Sequence, residues 1–331
     1  MAGPPITLAA ALRDAHHEDP RVRDKALRHM GDALLAELGS PARWRAADRH
    51  PKGAQVLELL TTAAHDDPSP VLQGFAAIAL GQLGDPLALP LLREALTTEG
   101  DGEEPAFRRE CAAIGLAELA AAALEDPAAA LLPAIAAPLA SGLTSSHPEV
   151  RFQCAGTLVD VLGNDAEGPL ADALAVESEP EVRRGLCEGL ARIDDPSPTT
   201  VERLQAILAD PEIDLDTLFA AAIGLTAAGD PDAAPILLRA LTKPELRDRS
   251  LEALAVLGPQ APDEAISPIR ALASSWLKPR VTRVRAAYAL ARIRPSEGQR
   301  LLDRFSKSRS PAVQEAVADA RAALETLAAR D

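Results

Sequence analysis

Glu179-Pro180-Glu181-Val182-Arg183 is the clearest copy of a phrase that recurs along the chain. After the proline, apolar residues return at helical spacing, at Val182, Leu186, Leu190 and Ile193. Proline suits the first turn of a helix, where its missing N–H group costs nothing. An acidic residue just before it lies near the positive end of the helix. The stretch therefore predicts a helix that begins at its proline.

Copies of this phrase, some of them loose, are spread over the whole chain. Their prolines are at positions 20, 68, 105, 148, 180, 211, 244, 279 and 311, at intervals of 48, 37, 43, 32, 31, 33, 35 and 32 residues. Many of the helices end in a Gly-Asp-Pro or Gly-Pro stop, as at 84–86, 229–231 and 258–259. Before each phrase a shorter apolar helix is predicted, for example over 87–96, 131–143 and 233–241. Each repeat is thus a helix pair, which buries its apolar faces only when it is stacked on neighbouring pairs.

The composition favours helices almost everywhere. Apolar residues make up 47 % of the 331 residues, mainly alanine and leucine, whereas aromatic residues make up only 2 %. With 20 glycines and 28 prolines the helices must be short, which excludes a long coiled coil. We find no apolar run long enough to span a membrane and no secretory signal. The three cysteines cannot all pair, so a reducing cytoplasm is the expected location.

The phrase and the stretch Ala76-Ala77-Ile78-Ala79-Leu80-Gly81-Gln82-Leu83-Gly84-Asp85-Pro86 resemble the HEAT-repeat family, in particular its bacterial HEAT-like branch of the phycobilisome-lyase type. The resemblance covers residues 8–327. It implies an all-α fold, a right-handed α-solenoid of about nine HEAT-like antiparallel helix pairs. It also implies that the proline-led helices line a concave binding surface. We expect one solenoid over 1–331, with an insertion at 39–53 and basic C-terminal repeats at 262–331.

An arginine stands three positions after the proline in several copies. Stacked repeats would place these arginines in a row, each bonded to a neighbouring carboxylate or helix end, which predicts a structural ladder rather than a ligand site. The ladder comprises Arg23, Arg108, Arg151, Arg183 and Arg247. Three copies depart from the pattern, with Val71 and Asp214 in two of them and a shifted register in the eighth.

Charge is distributed unevenly along the chain, whose net charge is −15. Residues 1–238 carry a net charge of −21, whereas residues 239–331 carry +6. Three interpretations of the basic end stay open: a solvated surface without a role, docking to an acidic protein surface, or contact with nucleic acid or anionic lipid. Trp276, Tyr288 and Phe305 lie near the basic run and are interpreted either as core residues or as stacking residues. The candidate partner-binding residues here are Arg280, Arg283, Arg285, Arg292, Arg294, Arg300 and Arg304.

The insertion at 39–53 is a second basic segment. It contains Arg43, Trp44 and Arg45, and arginine and tryptophan are the residue types most enriched in binding hot spots. We take these three as further partner-binding candidates. The alternative is that Trp44 closes an open end of the repeat stack, because terminal repeats need capping.

Motifs of catalysis are missing from the sequence. The six histidines form no zinc-binding pattern on a helix, and no phosphate loop, nucleophile elbow or Cys-x-x-Cys pair occurs. Cys111 and Cys154 lie six residues after their repeat prolines and Cys187 lies seven after its own, at places where small core residues are expected. We predict no catalytic residue, no metal site and no cofactor.

The favoured function is a non-catalytic scaffold that binds a protein partner, either acidic or of another kind, through its concave face and basic C-terminal end. Two alternatives are a lyase-like HEAT-repeat enzyme subunit, which the family resemblance implies, and a HEAT-like nucleic-acid-binding protein. The acidic, aromatic-poor first 238 residues count against nucleic acid.

Overall fold

The computed structural model describes residues 6–39, 43–100, 102–125 and 130–328, and within these the chain is helical without strands. It divides into two compact units, Met1–Leu186 and Cys187–Asp331. Helix α10 spans the boundary between them. A single solenoid over 1–331 stays a prediction, as does its handedness. Residues 40–42 of the predicted insertion and residues 329–331 of the basic repeats lie outside the described residues.

The helices follow the predicted alternation, and those that the structure describes form nine pairs. In the first unit they are α1 Leu8–Asp14, α2 Pro20–Leu38, α3 Gly53–Asp66, α4 Pro70–Gln82, α5 Ala88–Leu96, α6 Glu103–Leu124, α7 Leu132–Gly142, α8 Pro148–Leu162 and α9 Glu167–Val176, followed by α10 Pro180–Leu190. In the second unit they are α11 Pro198–Ala209, α12 Leu215–Ala227, α13 Ala234–Ala240, α14 Pro244–Leu257, α15 Ile266–Ser274, α16 Arg280–Ile293, α17 Pro295–Phe305 and α18 Pro311–Ala328.

The even-numbered helices, which the phrase introduces, pack on one another in order. In the first unit α2 packs on α4, α4 on α6 and α6 on α8, and in the second unit α12, α14, α16 and α18 form the same kind of row. The odd-numbered helices α1, α3, α5, α7, α11 and α15 pack mainly on the even helix that follows, whereas α13 contacts both of its neighbours and α17 packs mainly on the preceding α16. The all-α solenoid class predicted from the sequence is confirmed.

Small residues let neighbouring even helices approach closely. A methyl group added at Gly81 on α4 would lie 2.2 Å from the carbonyl oxygen of Gly115 on α6. The buried side chains are mostly leucine and alanine, with Cys111, Cys154 and Cys187 among them. The core therefore depends on many small, tightly fitted contacts rather than on aromatic side chains.

In six of the described pairs, a polar side chain at the fourth position of the even helix closes the pair. It donates to the backbone carbonyl six residues earlier, at or just after the end of the preceding odd helix, where carbonyl groups lack helical partners. The donors and acceptors are Arg23 to His17 (3.0 Å), Gln73 to Asp67 (2.8 Å), Arg151 to Ser145 (2.8 Å), Arg183 to Glu177 (2.9 Å), Arg247 to Leu241 (2.9 Å) and Gln314 to Ser308 (3.0 Å). We call this the closing bond.

Two of these arginines also reach the loop of the next pair. Arg23 makes two bonds to the carboxylate of Asp67, at 2.9 and 3.0 Å. Arg151 binds both oxygens of Glu177, at 2.7 and 2.8 Å. The Asp67 and Glu177 side chains are 5 % and 4 % exposed, so both ion pairs are shielded from water. One guanidinium thus closes its own pair and ties it to the following one.

The third phrase differs from the prediction. Helix α6 begins at Glu103, two residues before Pro105, so the register of the phrase on the helix is shifted. As a result Arg109, not Arg108, is buried and donates to the carbonyls of Thr98 (2.5 Å) and Gly100 (2.9 Å).

The sixth phrase is displaced as well. Helix α12 begins at Leu215, because Asp214 accepts the N–H groups of Asp216 and Thr217 and so caps the helix there. This role explains why an acid occupies the position at which an arginine was expected.

The first prediction concerns the Arg151–Glu177 pair. Burial opposes ionisation of Glu177, but the bonds from Arg151 and from the N–H groups of Ser178 and Glu179 outweigh it, so the pKa of Glu177 lies below its ordinary value of 4.5. A carboxylate with a lowered folded-state pKa stabilises the fold above the unfolded pKa. That contribution disappears as the pH falls through the folded value.

We therefore expect Glu177→Gln to lower the free energy of unfolding at pH 7 by about 1–3 kcal/mol. The difference from the wild type should shrink as the pH falls below about 4.5. Urea unfolding at several pH values measures it. Glu179→Gln, at an exposed site two residues away, is the matched control and should change stability by less than about 0.5 kcal/mol. Equal losses in the two variants, or a loss independent of pH, would contradict the proposed ion pair.

The second prediction concerns the thiols. Burial, with a smaller contribution from Glu110, raises the pKa of Cys111 to about 12, and burial alone raises the pKa of Cys154 to about 12. Because the thiolate is the reactive form, both should resist a disulfide reagent such as Ellman's at pH 8 until urea unfolds the protein. Rapid reaction of either thiol in the native state would show that the core opens locally.

Candidate functional site

Arg283, a predicted partner-binding residue, lies at the fourth position of α16. Its Nε donates to the carbonyl of Ala273 at the end of α15, at 3.2 Å. Its guanidinium lies 5.1 Å from the centre of the Phe305 ring at the end of α17. The bond to Ala273 corresponds to the closing bond in the eighth pair, although here it spans ten residues instead of six. The contact with Phe305 joins the eighth pair to the ninth. Arg283 therefore resembles the ladder arginines in its contacts.

Four other predicted arginines have partners within the second unit. Arg285 on α16 forms ion pairs with Asp248 and Glu252 on α14. The remaining three are exposed or half-buried at helix ends and edges, namely Arg292 bonded to the Ala255 carbonyl (3.1 Å), Arg294 bonded to Asp263 (2.5 Å) and Arg300 bonded to the Ser296 carbonyl (3.0 Å). Arg285 and Arg292 thus connect α16 to α14 of the preceding pair, and the ion pairs of Arg285 and Arg294 neutralise part of the positive charge of this segment.

The insertion is fastened to the body of the first unit. Arg43 binds Glu118 at 2.6 Å and Glu125 at 3.2 Å, both on or just after α6. Arg45 pairs with Asp48 at 2.7 Å. Trp44 is half-buried, and its backbone lies against the turn after α4, where a methyl group added at Gly84 would lie 2.9 Å from the Trp44 Cα. Partner binding by Trp44 and closure of an end of the stack both stay predictions. These contacts favour a structural role for the segment.

Five cations near the C-terminal end make no ion pair or side-chain hydrogen bond within the described residues. They are Lys278, Arg280, Arg304, Lys307 and Arg309. All five lie in, or next to, the two loops that lead into α16 and α18. Beside them Trp276 is 83 % exposed and Leu277 is 72 % exposed. We call residues 276–280 and 304–309 the basic loop edge.

The two loops of this edge are neighbours. Arg283 contacts Ala273 shortly before the first loop and Phe305 at the start of the second, so its side chain spans the distance between them. The corresponding loops of the earlier pairs carry acids such as Asp67, Glu177 and Asp214, which are used in ion pairs and caps. The basic loop edge therefore combines exposed apolar side chains with unneutralised positive charge.

Sequence reasoning included Arg280 and Arg304 of this edge and considered Trp276 as either a core or a stacking residue, but did not single out Leu277, Lys278, Lys307 and Arg309 as binding residues. The closing bond supplies a signal that could have found them. A side chain at the fourth position of an even helix bonds to the loop before that helix. Residues within the loop do not make this bond, so their side chains are the ones available to a partner.

A groove lies between α16 and α18, on the side that faces Glu252 of α14. It has a volume of about 500 Å³, and Tyr288 is half-buried in its wall. The three aromatic residues near the basic run thus have three different environments, since Trp276 is exposed and Phe305 lies under Arg283.

The described residues contain no group of three or more His, Cys, Asp or Glu side chains arranged to hold a metal ion. Among the histidines there, His50 pairs with Glu37 at 3.2 Å, and the His147 ring contacts the buried Arg109 of α6. Across the described part of the chain no helix is both long and apolar enough to cross a membrane.

The chain is similar to several known proteins. A 54-residue stretch is 46 % identical to epoxyqueuosine reductase of Bacillus subtilis (strain 168), but it covers 16 % of this chain and only 14 % of that protein. Kap95p, solved in a study of its binding to RanGDP, matches with a TM-score of 0.58 and 13 % identity over 95 % of this chain and 45 % of its own. The complex of CpcE and CpcF of phycocyanin lyase from Nostoc sp. PCC7120 matches with 23 % identity and a TM-score of 0.43, over 82 % of this chain and 95 % of that one.

The family model for HEAT repeats matches residues 7–117 and 167–258, which together make up more than half of the 331 residues. This match confirms the resemblance that the recurring phrase indicated. The chain belongs to the HEAT-repeat family.

Proposed function

We propose that the chain is a non-catalytic scaffold that holds an acidic protein partner at the basic loop edge. The observation that carries the proposal is the exposure of Trp276 and Leu277 beside five cations without partners. Burying an indole removes on the order of 200 Å² from water. Tryptophan and arginine are enriched among the residues that dominate binding energies. Unpaired cations around them would steer an acidic surface towards the edge and keep it in register.

The family and its structural neighbours support this class of function. Kap95p binds RanGDP, and Kap121p, matched with a TM-score of 0.54, was solved bound to the SUMO protease Ulp1p. At 12–13 % identity these likenesses concern the fold, so the partner of this chain has to be inferred from its own surface.

The contacts of each side chain decide which substitutions can test partner binding without disturbing the fold. Charge reversal at Arg283, Arg285 or Arg292 would remove contacts between helix pairs, and weaker binding would then be ambiguous. Trp276, Lys307 and Arg309 are exposed and make no such contacts, so their substitution should leave folding intact.

The third prediction tests the edge. Immobilised wild-type protein should retain a stoichiometric protein partner from lysate of its own organism. Trp276→Ala should weaken binding of that purified partner by about 30-fold, as expected for loss of a hot-spot side chain. The double variant Lys307→Glu/Arg309→Glu should weaken it by about tenfold at low salt and flatten its salt dependence. Calorimetric titration over a salt series measures both effects.

Arg21→Glu/Lys25→Glu is the matched control, because it reverses two exposed cations of α2 in the other unit. This variant should bind like the wild type. The proposal fails if the retained protein binds all variants equally. It also fails if the edge retains nucleic acid in place of protein.

A further inference from the structure

The groove between α16 and α18 differs in charge from the basic segment around it. Its floor and walls are short aliphatic side chains, among them Val281 and Val284 on α16 and Ala312, Ala316 and Ala320 on α18. Its charged lining is mainly acidic, with Glu252, Glu315 and Asp319 against Arg285. A strongly basic stretch of sequence thus contains an apolar groove with an acidic rim.

The single cation of the lining is already neutralised. Arg285 is paired with Asp248 and Glu252 on α14. Glu315 and Asp319, one turn apart on α18, are exposed and have no cationic partner among the described residues. Like charges four residues apart on a helix repel each other. An incoming cation would relieve that repulsion while it gained a favourable contact.

The shape of the groove favours a helix as its occupant. Alanines four residues apart on α18, at 312, 316 and 320, form a low ridge, which Ala323 extends by one more helical turn. Small side chains at this spacing let another helix approach closely, as Gly81 and Gly115 do between α4 and α6. Tyr288 adds an aromatic surface with a polar end, which suits a boundary between apolar contacts and water.

From these features we propose that the groove binds a basic amphipathic helix of a partner protein. The apolar face of this helix packs on the α16 and α18 side chains, and its lysine or arginine residues, spaced one turn apart, pair with Glu315 and Asp319. This mode of recognition places an amphipathic helix in an apolar groove. The surface is separate from the basic loop edge and opposite to it in charge.

The fourth prediction uses a synthetic probe with the full-length chain. A fluorescein-labelled peptide built on the repeat Leu-Lys-Ala-Ala-Leu-Lys-Ala, whose lysines flank the leucine face of the helix, should bind more tightly than a peptide of the same composition in scrambled order. Fluorescence anisotropy at low salt measures both. Glu315→Gln/Asp319→Gln should weaken binding by about five- to tenfold, as expected for two exposed ion pairs. Ala316→Trp, which fills the groove, should weaken it by at least as much.

Two controls separate the groove from other surfaces. Glu325→Gln removes an exposed acid of the same helix outside the groove lining and should leave the affinity unchanged. Lys307→Glu/Arg309→Glu should not weaken binding, since it alters the basic loop edge. A photo-reactive group on the leucine face of the peptide should cross-link to residues 281–288 or 312–323.

Equal affinity for the ordered and scrambled peptides would overturn the proposal. So would an unchanged affinity after Glu315→Gln/Asp319→Gln, or cross-links confined to other parts of the chain. The proposed function at the basic loop edge is tested by different variants and a different ligand, so either proposal can fail alone.

Discussion

A pair of short alanine- and leucine-rich helices cannot bury its own apolar faces, so every pair in this chain depends on the correct placement of its neighbours. The closing bond fixes that placement. In six of the described pairs a donor at the fourth position of the even helix binds the carbonyl six residues before it and so ties the helix to the loop that leads into it. In two of the four arginine copies the remaining N–H groups also extend to the next pair, from Arg23 to Asp67 and from Arg151 to Glu177. Glutamine at the same position, as in Gln73, makes only the first of these contacts.

Most of the fold could be predicted because proline, helical periodicity and glycine stops agree at nearly every repeat. The starts of α2, α8, α10 and α14 coincide with the prolines of their phrases. Prediction was wrong where a better helix start competed with the proline. At the sixth phrase Asp214 accepts two backbone N–H groups and the Thr217 hydroxyl, which outweighs the preference for Pro211 at a first turn. The closing bond itself was only partly visible in the sequence, because glutamine replaces arginine in two copies.

Charge counts along the sequence were a weaker guide to the candidate site. A charge count assigns Arg280 and Arg285 the same +1 charge. In the structure, however, Arg285 pairs with Asp248, whereas Arg280 has no partner among the described residues. The partners of such arginines lie about one repeat away, 37 residues for Arg285 and 31 for Arg294. A net charge computed over a segment cannot register a pairing at that distance. An acid about one repeat away, upstream as for Arg285 or downstream as for Arg151, is the sequence feature that marks an arginine engaged in an ion pair.

The same reasoning explains how the last three pairs present two surfaces of opposite charge. The loops before α16 and α18 carry lysine and arginine side chains that form no ion pair with any described residue. On the faces of α16 and α18, by contrast, the guanidinium of Arg285 pairs with two acids of α14, and Glu315 and Asp319 have no cationic partner in the described part of the chain. Acidic and basic residues that alternate along the sequence are thus separated in space by the helix pairing. A partner that carries an acidic segment and a basic helix would find both complements within one short stretch of this repeat array, and no ion pair within the array would have to break to receive it.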